Sequence, residues 1–277
     1  MLAWTLALAL APPVPTFAVE AIKENGRLAP FREHFNRHVN VFGIEVLATP
    51  KTGEAKIIHA ANVLAQYLDN DEDGTIDDPK VLKALVEEGA FLMMFKTERE
   101  AEKIFRRVDF ETIEKAGFHI GQDLYDEETL PKGPPHKKER GRFDATLEEV
   151  LHLVSNAYAI VYPEAFSFEP GSHLTNAMDT ARGGQFKSIP RKYPEKSWYH
   201  YRDRTCDYEC MAVEYLYWAM TTLLGGQDYP GRAEEIKIEW ELTTPAALRE
   251  RDEAIVKLLE DPRYSLPRTL PDGSYRR

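Results

Sequence analysis

An α+β fold is predicted for this chain, with an N-terminal α/β half and a mainly helical C-terminal half. Three observations predict it. Short apolar runs alternate with amphipathic segments up to about residue 124. The stretch from Thr129 to Gly141 (TLPKGPPHKKERG) is polar and holds three prolines and two glycines, as an exposed connection does. Beyond it lie two long, largely apolar helical segments. The organisation that follows is a leader over residues 1–18, an α/β half over 19–135 and a helical half over 136–277.

Leu2 to Ala11 is apolar but too short to span a bilayer. Thr16-Phe17-Ala18 puts small residues at the −3 and −1 positions of a cleavage site, so the spacing predicts a signal peptide cut after Ala18 and an exported protein. Val41 to Thr49 (VFGIEVLAT) reads as a buried strand. Gly53 to Leu68 is an amphipathic helix with Ile57, Ala61, Leu64 and Leu68 on one face. Pro79 opens a second helix, which ends near Gly89. Ala90 to Lys96 (AFLMMFK) is a central strand, and Thr97 caps the helix after it. Phe118 to Leu124 is a third strand. In the second half, Ala145 to Val161, Asp207 to Leu224 and Pro245 to Leu259 read as helices. Pro170 to Tyr201 reads as a long irregular stretch, and the tail as an extended segment.

With 277 residues, 43% of them hydrophobic, the chain can bury a sizeable core. The net charge of −11 argues against a nucleic-acid partner. No window beyond the leader fits a transmembrane helix. The two cysteines, Cys206 and Cys210, point to a disulfide in an exported protein. Spacing of i, i+4 is awkward inside a helix and easier at its start. Free or metal-bound thiols are the alternative, and two cysteines alone make a poor zinc site.

LDNDEDGTIDD, from Leu68 to Asp78, is the most informative stretch. Asp69, Asp71 and Asp73 alternate, Gly74 follows, and Thr75 and Ile76 come next. This register resembles the first eight positions of an EF-hand calcium loop. Calcium wants six to eight oxygens, and loop positions 1, 3 and 5 converge on one point. Gly74 stands where the loop turns sharply, Thr75 offers a carbonyl, and Ile76 points to the core. Asp77, at position 9, ligates directly or through water. Position 12, usually a bidentate glutamate, is Lys80; Asp78, Glu87 or Glu88 are the acids near enough to substitute. An acidic solvated turn is the plainer reading of the same composition.

The segment from Thr146 to His152 (TLEEVLH) carries a second constellation. Glu148, Glu149 and His152 have the spacing of H-E-x-x-H with glutamate in place of the first histidine. On a helix, Glu148 and His152 share a face and could bind one metal, leaving Glu149 as general base for a bound water. Glu209 and Glu214 follow on the next long helix. Here the chain resembles the gluzincin branch of the zincin metallopeptidases. The resemblance implies a zincin-like architecture, with His152 and Glu214 as zinc ligands and Glu149 as catalytic base. Glu148 departs from the family's histidine, and carboxylate-rich sites also suit calcium, manganese or iron. The whole chain also resembles exported proteins that carry an EF-hand-like segment. Thr146-x-x-Glu149 fits a capping box as well; Asp144 is a competing cap, and its use frees Glu149.

Other residues carry less. His59 reads as a core histidine. Trp198 to Tyr201 reads as an aromatic cluster, from which Tyr199, His200 or Tyr201 could supply a transition-state donor. Arg182-Gly183-Gly184 lacks a phosphate-loop pattern, and no G-x-S-x-G is present. The sequence therefore predicts an exported calcium-binding protein with a metallopeptidase-like, metal-dependent hydrolase site for peptides. Its cofactors would be Ca²⁺ and Zn²⁺ or another divalent metal. The alternative is a non-catalytic calcium-binding protein of the cell envelope or exterior.

Overall fold

Apolar runs and the residues that interrupt them set the architecture, which the computed structural model describes for residues 17–276. The apolar leader and Thr16 lie outside the described residues. Five strands form one mixed sheet in chain order: β1 (Glu20–Ala21), β2 (Arg37–Val41), β3 (Ile44–Ala48), β4 (Phe91–Phe95) and β5 (Gly121–Tyr125). The first three are antiparallel neighbours; β3, β4 and β5 run parallel. The stretch Val41 to Thr49 is not one strand but the turn and second arm of a hairpin. Phe42 (φ 54°) and Gly43 (φ 99°) are both left-handed, as a two-residue hairpin loop requires. Val41 then pairs with Ile44.

Parallel strands need crossovers, and helices supply them. Between β3 and β4 come α1 (Glu54–Leu68) and α2 (Pro79–Glu87); between β4 and β5 come α3 (Glu98–Phe105) and α4 (Phe110–Lys115). Caps fix their starts. Asp78 accepts from the N–H groups of Lys80 and Val81, Thr97 from Glu100, and Asp109 from Thr112. Strand β4 reads FLMMF because both its faces are covered. Leu92 and Met94 join the main core, whereas Phe91, Met93 and Phe95 join a smaller aromatic one with Phe31, Phe35 and Phe118. Strand β5 starts at Gly121 rather than Phe118; left-handed Gly117 turns the chain just before it, and Phe118 packs in that smaller core.

The second half contributes α5 (Thr146–Val161), α6 (Pro163–Phe166), α7 (His173–Arg182), α8 (Tyr208–Leu223), α9 (Arg232–Ile236), α10 (Pro245–Arg251) and α11 (Glu253–Leu259). Helix α5 lies against α1, α2, β5 and α8, so the main core runs unbroken across residue 135. The expected irregular stretch from Pro170 contains α7, capped by Ser172 and closed by left-handed Gly183. The expected last helix is two, broken at Asp252. The Asp252 side chain caps α11 and takes the Trp198 indole N–H (2.8 Å) and the Tyr215 hydroxyl (2.7 Å).

Cys206 and Cys210 form a disulfide across the start of α8, with their Cα atoms 5.4 Å apart. Asp207 between them accepts the Cys210 N–H and caps the helix. Among the described residues, no helix is long and apolar enough to cross a membrane.

Candidate metal centres

The start of α5 decides what its glutamates are free to do. Asp144 accepts the Thr146 N–H at 3.3 Å, and the Thr146 hydroxyl is buried without a partner. The capping box is therefore not formed, and Glu149 caps nothing. Its Oε2 instead accepts from Gln122 Nε2 of β5 at 2.6 Å and lies 3.5 Å from His152 Nδ1.

Helical spacing turns Glu148 and His152 toward α8, where Glu214 faces them. One ligand atom each from Glu148, His152 and Glu214 lie within 4.8 Å of one another. His152 Nε2 is 3.8 Å from Glu214 Oε2 and, although buried, has no hydrogen-bond partner. Tyr201 donates its hydroxyl to Glu214 Oε1 at 3.2 Å. Glu209 is exposed in the first turn of α8 and takes no part.

Three carboxylates share this pocket, and their electrostatics are adverse. Burial pushes Glu148 above the usual carboxylate range, and the neighbouring Glu149 adds to the rise; Tyr217 and Arg232 oppose it. Burial and then the charges of Asp123 and Glu128 push Glu149 up. Burial raises Glu214 to about 8, against the pull of His152. Burial lowers His152 below its usual value, so its imidazole is neutral, as a ligand must be. Glu148 also lines an open cleft of about 400 Å³, walled by Phe143, Tyr217, Trp218 and Arg232. Of the three candidate ligands, Glu148 alone borders that cleft, and His152 Nε2 lies buried behind it.

The acidic loop between α1 and α2 is built differently. Glu72 (φ 58°) and Gly74 (φ 87°) are left-handed and bend the chain back on itself. Asp69 Oδ2 accepts the Gly74 N–H at 3.0 Å and also the Tyr275 hydroxyl. Asp71 accepts from Asp73 N–H, Asp73 from Thr75 N–H, and Asp77 from Asn70 N–H. Asp69, Asp71 and Asp77 offer ligand atoms within 4.8 Å of one another; Asp73 lies outside that group. Asp69 Oδ1 is buried and unpartnered. Ile76 packs on the core. None of the substitutes for position 12 joins in. Asp78 caps α2 and accepts from Tyr162, while Glu87 pairs with Lys83. Lys80 is exposed, its ammonium 6.0 Å from the Tyr162 ring.

A third group was not visible in the sequence. Asp144 Oδ2 sits 2.7 Å from His59 Nε2 and 3.0 Å from His136 Nε2. Burial alone would raise Asp144, but the two histidines hold it well below the usual carboxylate range. The trio ties α1 and the proline-rich connection to the start of α5. His59 is thus a buried core histidine, as expected, and one ligand atom each from His59, His136 and Asp144 lie within 4.8 Å of one another. Of the aromatic donors, Tyr199 is buried and bonded to the Met211 carbonyl, and His200 faces Ser197 and Glu241. Tyr201 alone of these three hydrogen-bonds to one of the half-buried glutamates, Glu214.

No protein-family model, curated protein or solved structure matches this chain, so the geometry above carries the functional reading.

Proposed function

We propose that this chain is an exported, calcium-stabilised, metal-dependent hydrolase of zincin type acting on peptides. The carrying observation is the unpartnered, buried His152 Nε2 among three mutually repelling carboxylates. Such a set is costly without a counter-ion, and a divalent cation supplies one. His152, Glu148 and Glu214 are the ligands. The donor set of one imidazole and two carboxylates suits Zn²⁺ and also manganese or iron.

Bound there, the cation would polarise a substrate carbonyl and acidify a water. With such a cation held there, Glu149 would serve as general base and then as general acid toward the leaving amine. Gln122 holds Glu149 in place, and Tyr201 orients Glu214. The cleft beside Glu148 gives an extended chain its approach.

In the acidic loop, the backbone turn and the unpartnered Asp69 Oδ1 support an EF-hand-like calcium site. Asp69, Asp71 and Asp77 supply side chains and Thr75 its carbonyl, with Asp73 in an outer position. The absence of an acid at Lys80 favours a structural role over a sensor. The disulfide at α8 supports export, since such bonds persist outside the cytosol.

Metal analysis of the purified protein tests the reading. About one equivalent of transition metal per chain is expected, falling to background in His152→Ala with calcium binding intact. Full metal retention by that variant would sink the assignment.

A further inference from the structure

The segment from Tyr199 to Arg204 has two faces. Tyr199 and Tyr201 turn inward, to the Met211 carbonyl and to Glu214. The alternate residues His200, Arg202 and Arg204 line a separate hollow of about 480 Å³, whose other wall holds Arg191, Lys192 and Tyr193. The Tyr193 hydroxyl donates to the Tyr201 carbonyl at 2.7 Å, which fastens one wall to the other. The Tyr193 and His200 rings stand 5.5 Å apart within it.

Four permanent cations thus face one concavity in a chain of net charge −11. Among the described residues, none of Arg191, Lys192, Arg202 and Arg204 makes an ion pair or a side-chain hydrogen bond. Many surface cations elsewhere on the molecule are paired: Lys83 with Glu87, Lys115 with Glu111, Arg249 with Glu260 and Arg263 with Asp261. The nearby acids do not neutralise the hollow. Asp203 accepts from Thr205 through both its N–H and its hydroxyl. Glu241 lies 3.8 Å from His200, and Glu239, which feels Arg202, lines the neighbouring cleft.

Like charges gathered in a concavity repel one another and focus a positive potential into it. A doubly charged oxyanion relieves that repulsion through charge-assisted hydrogen bonds, and guanidinium forks match its oxygens in pairs. The volume exceeds that of one oxyanion and admits a sugar-sized body beside the two rings. We propose that this hollow binds a small molecule bearing a phosphate or sulfate ester. The proposal is independent of the metal reading, since none of its residues is a proposed ligand.

Calorimetric titration of the full chain with inorganic phosphate, and separately with sulfate, tests it at constant ionic strength set by sodium chloride. Saturable binding of at least one anion is expected, and the tighter of the two identifies the ester. R202Q/R204Q should weaken it at least tenfold, and R191Q/K192Q should do so independently. R106Q/R107Q, at exposed cations away from the hollow, should leave it unchanged. Exposed side chains carry all these changes, and unchanged melting curves verify the fold. No saturable binding of either anion overturns the proposal, as does binding by both hollow variants as tight as that of the unsubstituted chain. Retention on a polyanionic resin without a response to phosphate or sulfate would assign the face to a macromolecule and overturn the small-ligand site.

Discussion

Carboxylates of the loop after α1 accept hydrogen bonds from backbone N–H groups, whereas those between α5 and α8 have almost none. Gly74, Asp73, Thr75 and Asn70 each turn an N–H onto an aspartate. A loop has such groups to offer; a helix interior does not, because its N–H groups already serve carbonyls one turn back. Glu148 and Glu214 are therefore left with Tyr217, Tyr201 and each other. Burial then raises the helical carboxylates; in the loop it raises Asp77, where the Asn70 N–H opposes the rise and Asp71, Asp69 and Asp73 add to it. The same side-chain chemistry is met by backbone donors in one place and by few donors in the other. A cation between the helices would have to displace protons.

The largest expected effect separates chemistry from binding. Glu149→Gln should lower peptide hydrolysis by about 10²- to 10⁴-fold, the usual contribution of a general base. It should leave the transition-metal content unchanged, because Glu149 lies outside the ligand set. Asp71→Asn in the loop should leave hydrolysis alone. Steady-state kinetics on a peptide library decides this, and full activity in Glu149→Gln breaks the catalytic half of the contrast.

Acidity distinguishes the two centres next. Glu214 has a folded pKa of about 8 against an ordinary 4.5, and Glu148 and Glu149 are raised with it. Between those values the folded metal-free state binds more protons than the unfolded one. Stability contributed by these groups is complete below about pH 4.5 and is lost as pH rises toward 8. Each proton so held gives a slope of about 1.4 kcal/mol per pH unit. Melting of the chelator-treated protein should therefore fall from pH 5 to pH 8, and a divalent metal should abolish the fall while releasing protons. A melting temperature that is flat or rising over that range removes the frustration invoked for the buried site.

The loop was legible from spacing alone and the site between α5 and α8 only in part, for one physical reason. Asp69, Asp71, Gly74 and Asp77 are placed by local backbone geometry, so their spacing alone announces the turn. Within α5 the same holds: Glu148 and His152 share a face by periodicity. Glu214, Tyr201 and Gln122 arrive from other elements, and no spacing encodes their approach: Glu214 enters through the family resemblance, Tyr201 as one of three aromatic candidates, and Gln122 not at all. His136 and Asp144 show the limit most clearly, since their meeting with His59 depends on how the proline-rich connection folds over α1. The hairpin at Phe42-Gly43 was hidden for the opposite reason: an apolar residue in a left-handed turn lets two strands read as one.

Calcium should act on the first centre and spare the second. A ligand that binds only the folded state stabilises it by about 2.7 kcal/mol at a hundredfold excess over its dissociation constant. Melting should rise by that equivalent in millimolar calcium, and Asp69→Ala should erase the rise. The Tyr275 hydroxyl and the Gln66–Asp272 contact bring the C-terminal segment onto the loop. Hydrogen exchange in residues 268–276 should therefore slow with calcium. An identical melting curve in chelator and in calcium would count against the loop as a calcium site.

The disulfide gives the finest test, because it touches only one centre. Cys206 and Cys210 close a loop of about five residues, for which the chain-entropy account gives about 2 kcal/mol. Alkylation without reduction, followed by intact mass, should find no free thiol. The bond clamps the first turn of α8 around the Asp207 cap, and Glu214 stands one turn further on. Fraying of that turn would move Glu214 away from His152, which sits on a different helix and would not follow. C206S/C210S should therefore weaken transition-metal binding and lower the melting temperature, with the calcium-induced rise preserved. The loop after α1 shares no residue with the clamped turn, so its response is the internal control. Equal loss at both centres would show that they fold as one coupled unit, and the contrast between a self-sufficient loop and an assembled site would fail.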